Sequence, residues 1–532
     1  MKRFLLFFFV LYVPHISSVQ GQGLPLPSLA TGKNYVISLP APVENLTDPQ
    51  FPNSALEQST LYAYSDLSTS VCVTNAAISW QTCVTTVAGE FTAIQLPTGS
   101  GSKLSSASVV SDLVFQVAAE DPIVLYCYLG ATFGSEAWTP LPIEHCGTQY
   151  QATTLQGSTV QDVQISGAGL LITPKAAPSQ IIINSAFDNT HVTIQPNAAL
   201  ASDLGSASPI LVTMNANQAY MIRSQVDLSG TEISSDQKIS VVSGNSRAAL
   251  RTDISPITGN SYQGLMIEAL PPLEQHGKTF VYLPLWDSHR MKLPLEPSDP
   301  NRRQKEELYV HGVQPGQTNG TITDGFGGLI PFSINQFGVY NNFVQEAVAR
   351  VVDVDKPSQA FLYPESVVNV INDGYASWSG SSVSIIPLHQ WTTKAPFIAP
   401  NHLPYGEHFV SIVAEYDDML DVYYSVGGGA RQNFSFNHGN IPGSGYVWGT
   451  MAIIPGVTYL IEGDEGAHFT GYAYGDWKGY ELYRPGKSHR SKTEQVLSGG
   501  SAEYEEVVGL SYAYPLAPLR SNFNETAPMN IE

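Results

Sequence analysis

Apolar positions along this chain come in short runs of two kinds, separated by glycine, proline and polar clusters. In the first kind they alternate with polar residues, as in TSVCV around Val71, THVTI around Val192 and DMLDVYY around Val422. A two-residue period is that of a strand with one buried face. In the second kind an apolar run meets a polar knot and a second run follows: VAAEDPIVLYC from Val117, ISSDQKISVVS from Ile233, VVDVDKPSQAFLY from Val351 and IEGDEGAHFTGYAY from Ile461. Each knot carries an aspartate, Asp121, Asp236, Asp355 and Asp464, at intervals of 115, 119 and 109 residues. Asp accepts hydrogen bonds from nearby backbone and so favours tight connections, which makes the four aspartates structural turns between paired strands. Long helical periodicity is nearly absent; NNFVQEAVARVV is the one tempting stretch, and it reads equally well as strand.

A further element recurs at a similar period. LPSLATGKNYVISLP from Leu26, LPIEHCGTQYQATTL from Leu141, LPPLEQHGKTFVYLP from Leu270 and IPLHQWTTKAPFIAP from Ile386 share a Leu/Ile-Pro entry and an aromatic strand (Tyr35, Tyr150, Phe280, Phe397). A glycine turn joins the two (Gly32, Gly147, Gly277), and the fourth copy has threonine in its place. Self-similarity at a fixed period marks a repeat architecture. The expected fold is all-β: four tandem antiparallel units, sandwich-like, at 22–140, 141–265, 266–385 and 386–483, each with about seven short strands. A propeller-like ring of blades is the alternative. Unit 1 bears the cysteines, unit 3 a charged loop insertion at 295–309, and residues 484–532 form a polar tail expected to be disordered.

The N-terminus sets the compartment. Lys2 and Arg3 precede the apolar run from Phe4 to Val13, and Val19-Gln20-Gly21 supplies small residues at an exit, the pattern of a secretory signal peptide over residues 1–21. The apolar run is too short to span a bilayer, so the mature chain is expected to be secreted and extracellular, with no membrane span. A net charge of −21 repels nucleic acid and anionic lipid. The four cysteines, Cys72, Cys83, Cys127 and Cys146, are expected to form disulfides in an oxidising compartment. Cys72–Cys83 and Cys127–Cys146 are the favoured pairs because each closes a short loop. Asn45, Asn319, Asn433 and Asn524 open glycan acceptor triplets.

Catalytic signatures are missing from the sequence. The nearest approach to a GxSxG elbow, Gly259-Asn-Ser261-Tyr-Gln-Gly264, has one residue too many, so Ser261 is not read as a nucleophile. No HExxH, EF-hand loop or P-loop occurs; no catalytic residue, resident metal or cofactor is assigned, and zinc is disfavoured because no CxxC pair accompanies the cysteines. His145, His276 and His389 recur beside the unit-opening turn and are read as packing beneath it. Asp417, Asp418 and Asp421, or Asp353 with Asp355, could bind calcium but lack the graded oxygen spacing of a known loop. Trp138, Trp378, Trp391, Trp448 and Trp477 could stack on sugars where exposed, although tryptophans more often fill cores.

One stretch carries a resemblance. Val226-Asp227-Leu228-Ser229-Gly230, then Ser243-Gly244-Asn245-Ser246, then Leu270-Pro271 through Gly277 to Phe280 resemble the signature of the N-terminal domain of the IgGFc-binding protein family, and the late FTGYAYGDWKGYELY resembles its closing Gly-Tyr element. The similarity extends from about Gly32 to Tyr483. Two departures are visible: His276 stands where the family usually has Trp or Leu, and the cysteines that can follow the SGxS element are missing. Nor does the sequence run on into the Cys-rich von Willebrand D modules of the large mucus members. The resemblance implies a secreted, non-enzymatic binding or adhesion protein of mucus or extracellular matrix, with a role in defence, and an extracellular protein or glycan as partner. It implies no IgG contact residue. A lectin-like carbohydrate binder is the alternative function, and a hydrolase the remote one.

Overall fold

The computed structural model describes residues 30–43, 46–47, 58–131, 134–166, 169–248, 264–285, 306–344, 348–364, 367–371, 374–378, 381–401, 407–464, 466–477 and 510–517. Among them the secondary structure is β, antiparallel except for the short pairing of Leu46–Thr47 with Ser158–Ser166 and isolated bridges, with a single α-helix, Ala198–Leu204. That helix starts on Asn197, whose side chain accepts from the Leu200 N–H, and ends on the left-handed Gly205.

Four units share one strand plan. In unit 2 the strands are Gly147–Gln151 (β1), Ser179–Ser185 (β2), Thr190–Gln195 (β3), Ile210–Met214 (β4), Gln218–Ser224 (β5), Glu232–Ala248 (β6) and Gly264–Ala269 (β7). The first half of the long β6 pairs with β1 and β3, and its second half with β2 and β7; β4 extends β3 and β5 extends β2. The same six pairings recur in unit 1 (β1 Thr31–Ile37, β2 Gln58–Tyr64, β3 Ser70–Asn75, β6 Phe115–Ala131, β7 Gly134–Trp138). They recur in unit 3 (β1 Gly277–Tyr282, β2 Glu306–Gly312, β3 Thr318–Thr323, β4 Leu329–Ile334, β6 Arg350–Pro364, β7 Val383–Ser384). Unit 4 has them too (β1 Lys394–Ile398, β2 Glu407–Glu415, β3 Val422–Val426, β5 Tyr446–Ala452, β7 Leu510–Pro515), but its β6 is split into Thr458–Gly463 and Phe469–Trp477. Each unit is thus two small sheets joined through one bent strand.

The polar knots are the bends, and they are bulges instead of turns. Gly32 and Asn34 pair with Ile123 and Ala118, so Ala119–Pro122 faces the single residue Lys33. Ser235–Lys238 likewise faces Thr148, and Val354–Pro357 faces Lys278. Four residues on one strand against one on its antiparallel partner force a sharp bend. In unit 4 Lys394 pairs with Glu462 and Thr392 with Phe469, so the excess is larger and the strand is broken. By register against β3, Asp236, Asp355 and Asp464 stand in equivalent places, facing His191, Asn319 and Asp421. Their counterpart in unit 1 is Glu120, facing Ser70, so Asp121 lies one residue beyond the equivalent position.

The cores lie both inside units and between them. One cluster combines the interior of unit 1 (Tyr35, Val71, Leu125) with Ile182, Met221 and Val242 of unit 2. The interior of unit 2 takes Tyr309, Phe361 and Tyr363 from unit 3, and that of unit 3 takes Phe409, Tyr472 and Tyr474 from unit 4. The interior of unit 4 closes the circuit on Tyr62, Tyr64 and Tyr126 of unit 1. Sandwich packing and ring closure therefore coexist: each unit is a bent sandwich, and the four close a ring. The β7 strands meet at its centre, unit 1 touching units 2 and 4, and unit 3 touching the same two.

Several sequence expectations need correction. Cys72 and Cys83 face each other across paired strands and are bridged, but Cys127 and Cys146 are free thiols. Cys127 is buried at mid-strand in β6 and Cys146 behind the opening turn of unit 2, so the expected second bridge is not formed. Unit 2 runs to Ala269, past residue 265. The charged insertion of unit 3 ends earlier than expected, since Glu306 and Glu307 are buried in β2; Glu306 accepts from Tyr282 and from the Leu285 N–H. The polar tail supplies Leu510–Pro515, the closing strand of unit 4, whose Tyr514 is buried. The signal peptide, Asn45, Asn524 and Ser261 lie outside the described residues.

Candidate functional site

The family-like signature is buried at Leu228, Gly230 and Ser243–Ser246, half-buried at Val226, Asp227 and Ser229, and holds the backbone together. The Asp227 carboxylate accepts from Thr154 Oγ1 at 2.7 Å and the Ser229 N–H at 2.9 Å. Ser243 Oγ donates to the Thr153 carbonyl at 2.6 Å, and Asn245 accepts from the Leu155 N–H while donating to the Leu155 carbonyl. Residues 153–155 are thus laced to β6 without belonging to a strand. Thr153 Oγ1 in turn meets His311 and Gln359 of unit 3, which makes the signature the seam between units 2 and 3. Gly230 and Gly244 have positive φ; a Cβ on Gly244 would lie 1.9 Å from the Met266 carbonyl oxygen. Val226 and Leu228 pack in the core of unit 2.

Gly277 belongs to a second lattice, that of the unit-opening turns. A Cβ on Gly32 would strike Pro142, one on Gly147 Pro272, and one on Gly277 Pro387, each within 2.4 Å. The opening turns of units 2, 3 and 4 therefore each dock on the glycine that opens the preceding unit. Gln275 donates to the His145 carbonyl at 2.7 Å, and Gln390 repeats the bond to Gln275. The three histidines are not equivalent: Cys146, His276 and Trp391 follow the short helical turns Ile143–His145, Leu273–Gln275 and Leu388–Gln390, whereas His145 and His389 lie within them. Burial pushes His276 down to about 4 and also lowers His145 and His389.

At the ring centre two carboxylates are buried among the β7 strands. Glu136 on β7 of unit 1 accepts from Ser381 Oγ and the Ser382 N–H of unit 3 and from the Ala513 N–H of unit 4. Glu268 on β7 of unit 2 accepts from the Ser384 N–H of unit 3. Burial raises both, Glu268 to about 8, against the lowering effect of the N–H donors. They tie units together and face no opening.

An open cleft of about 710 Å³ lies between units 3 and 4. Thr279, Thr323, Leu329 and Asp353 line one wall; Glu415, Tyr416, Asp417, Ser444 and Tyr446 line the other. Thr279 donates to Asp353 at 2.7 Å. Burial raises the Tyr446 phenol, and Glu415 and Asp353 add to the shift, so both carboxylates act on the same spot. Among the described residues no ion pair engages Asp353, Glu415 or Asp417. The β3–β4 hairpin of unit 3 overhangs the cleft. Asp324 Oδ1 accepts from the N–H groups of Phe326 and Gly328, and Gly325 and Gly327 take positive φ. Gly327 presses on Gly443 of unit 4, where a Cβ would lie 2.8 Å from the Gly327 backbone. The tip holds Phe326 at 84% exposure and Leu329 at 63%.

The sequence singled out Asp353 and Asp417 but not their neighbours Glu415, Tyr446 and Phe326. The one available signal was a lone aromatic in TDGFGG, between glycines that suit positive φ. As calcium ligands the acidic residues fare less well: among the described residues no group of three or more His, Cys, Asp or Glu is arranged to hold a metal. Trp138, Trp391 and Trp448 are buried and offer no stacking platform; the side chains of Trp378 and Trp477 lie outside the described residues. Asn319 and Asn433 are exposed, Asn319 donating to Asp355 Oδ2 at 3.0 Å. No described helix is long and apolar enough to cross a membrane.

Residues 136–475 match the model of a family described as IgGFc binding protein. The match begins at the closing strand of unit 1 and ends in the long strand of unit 4. No curated protein matches the chain. A solved structure from a study of how a 1.5-MDa bacterial ice-binding adhesin is retained on the host cell surface aligns over 62% of this chain and 86% of its own. Identity is 9% and the TM-score 0.09, too low to carry an argument about fold.

Proposed function

Since the chain belongs to the IgGFc binding protein family, we propose that it is a secreted, non-enzymatic binding or adhesion protein of mucus or extracellular matrix that serves in defence of a body surface. The observation that carries this reading is the family match across units 2 to 4. The N-terminal charged and apolar pattern supports secretion, and the exposed Asn319 and Asn433 are sites at which a glycan would point away from the ring. The signature residues spend their polar groups on residues 153–155, so they serve the scaffold, and partners meet the loops that the scaffold displays. Several weak loop contacts on one rigid ring raise avidity without any single tight site.

Surface plasmon resonance tests this with the full secreted chain against immobilised mucin glycoprotein, matrix proteins and IgG Fc, alongside ester and glycoside hydrolysis assays. Saturable binding to at least one protein surface with no turnover is expected. Turnover of a hydrolase substrate, or binding to free glycans alone, would overturn the reading.

A further inference from the structure

The seam between units 3 and 4 combines features that the scaffold does not need. Phe326 is the most exposed large apolar side chain among the described residues, and Leu329, which lines the cleft, continues the patch at the start of β4 of unit 3. Large exposed apolar groups are costly unless they are covered in use. This patch is not on a loose loop: two backbone donors to Asp324 and the Gly327–Gly443 contact fix its tip. A pre-ordered aromatic loses little freedom on binding, which is how an interface anchor gains affinity. Beside it, Asp353, Glu415 and Asp417 stand exposed around one cleft, and none of them takes part in a described ion pair. Like charges so arranged repel one another until a cation is supplied.

We propose that this seam is the docking surface for a protein partner that presents a cationic loop, with Phe326 and Leu329 anchoring apolar flanks and an arginine or lysine entering the cleft toward Asp353 and Glu415. The occupant follows from charge complementarity: an acidic, hydroxyl-rich cleft on a chain of net charge −21 attracts basic surfaces at long range and discriminates against acidic ones. Thr279 orients Asp353 through its 2.7 Å hydrogen bond. The Tyr446 phenol on the opposite wall adds an acceptor for a guanidinium fork. The inference rests on the binding role proposed above and names one site for it.

Fluorescence anisotropy tests it with the full chain and a panel of labelled hexapeptides, each holding one arginine between leucine and phenylalanine, with matched peptides holding glutamine instead. Arginine peptides should bind at least tenfold tighter than their glutamine partners, and weaken as salt rises from about 50 to 500 mM. Phe326→Ala, and separately the Asp353→Asn/Glu415→Gln pair, should each weaken binding about tenfold or more. The pair Glu90→Gln/Asp112→Asn in unit 1, which changes net charge equally, should leave it intact. Equal loss in that control pair, indifference to arginine, or preference for a neutral oligosaccharide probe overturns the assignment. Far-ultraviolet circular dichroism and thermal melts confirm that the variants are folded. If the cleft variants keep the full chain's binding to its protein surface in the resonance assay, only this site falls; if the wild-type chain binds no surface there, the binding role itself falls.

Discussion

At the scale of single residues, Gly244 is the position where chemistry leaves least choice. Its φ is +153° and a Cβ would overlap the Met266 carbonyl oxygen, with the Met266 and Ile267 backbone behind it. Flexible side chains can give way, but paired backbone cannot, so Gly244→Ala has to separate β6 from β7 in unit 2. The expected cost is about 3 kcal/mol or more, read as a lowered midpoint in urea denaturation. A loss under about 1 kcal/mol would show that the two strands are less tightly joined than their register implies. Nearby Ser229, Ser243 and Asn245 act by satisfying backbone groups of residues 153–155, which have no strand partner to bond, while Asp227 holds the Thr154 hydroxyl and the Ser229 N–H.

Between elements, the repeating contact is an opening turn on the glycine before it. Gly277→Ala should cost roughly 1–3 kcal/mol, since its Cβ would sit 2.2 Å from Pro387 Cβ and packed contacts yield only by shifting backbone. Pro387→Gly in the same chain should recover part of the loss, because contacting residues couple; strictly additive midpoints from a double-mutant cycle would argue against the contact. Legibility in the sequence follows the same burial logic. The β3 strands were readable because one face is wet and their burial alternates, as in Ser70–Asn75 and Thr190–Gln195. The β2 and late β6 segments are buried on both faces, as in Ser179–Ser185, and leave no period to count. Leu510–Pro515 was hidden by its polar surroundings, and Val383–Ser384 is too short to leave a pattern. The knots were legible as bends, but a bulge and a turn use the same residues, and Glu120 beside Asp121 concealed the register. Of the cleft, Asp353 and Asp417 were picked out, whereas Phe326 and Glu415 gain meaning only when units 3 and 4 are brought together.

For the whole ring, closure buries ionisable groups with opposite preferences, and their signs set a pH profile. The Glu268 carboxyl rises from 4.5 to about 8 on folding, and Glu136 shifts the same way. Between pH 4.5 and 8 the folded chain therefore holds more protons at these sites than the unfolded chain, and stability falls as pH rises. Burial lowers His276 from 6.5 to about 4 and His311 to about 3, each staying neutral at the seam of units 2 and 3. The unfolded chain binds more protons there below pH 6.5, so stability falls as pH drops. The two slopes oppose each other between about 4.5 and 6.5, which leaves a plateau with a decline on either side. The exposed Asp236, Asp324 and Asp355 lie below their usual 3.8, so their contribution is lost only at lower pH. Thermal midpoints of the full chain from pH 3.5 to 9 should show this shape. Glu268→Gln should flatten the limb above pH 6.5, and His311→Gln the limb below 4.5, each leaving the other limb in place. A profile unchanged by both substitutions would mean that the ring opens without exposing its centre or its second seam, contrary to the shared cores that make the four units one cooperative body.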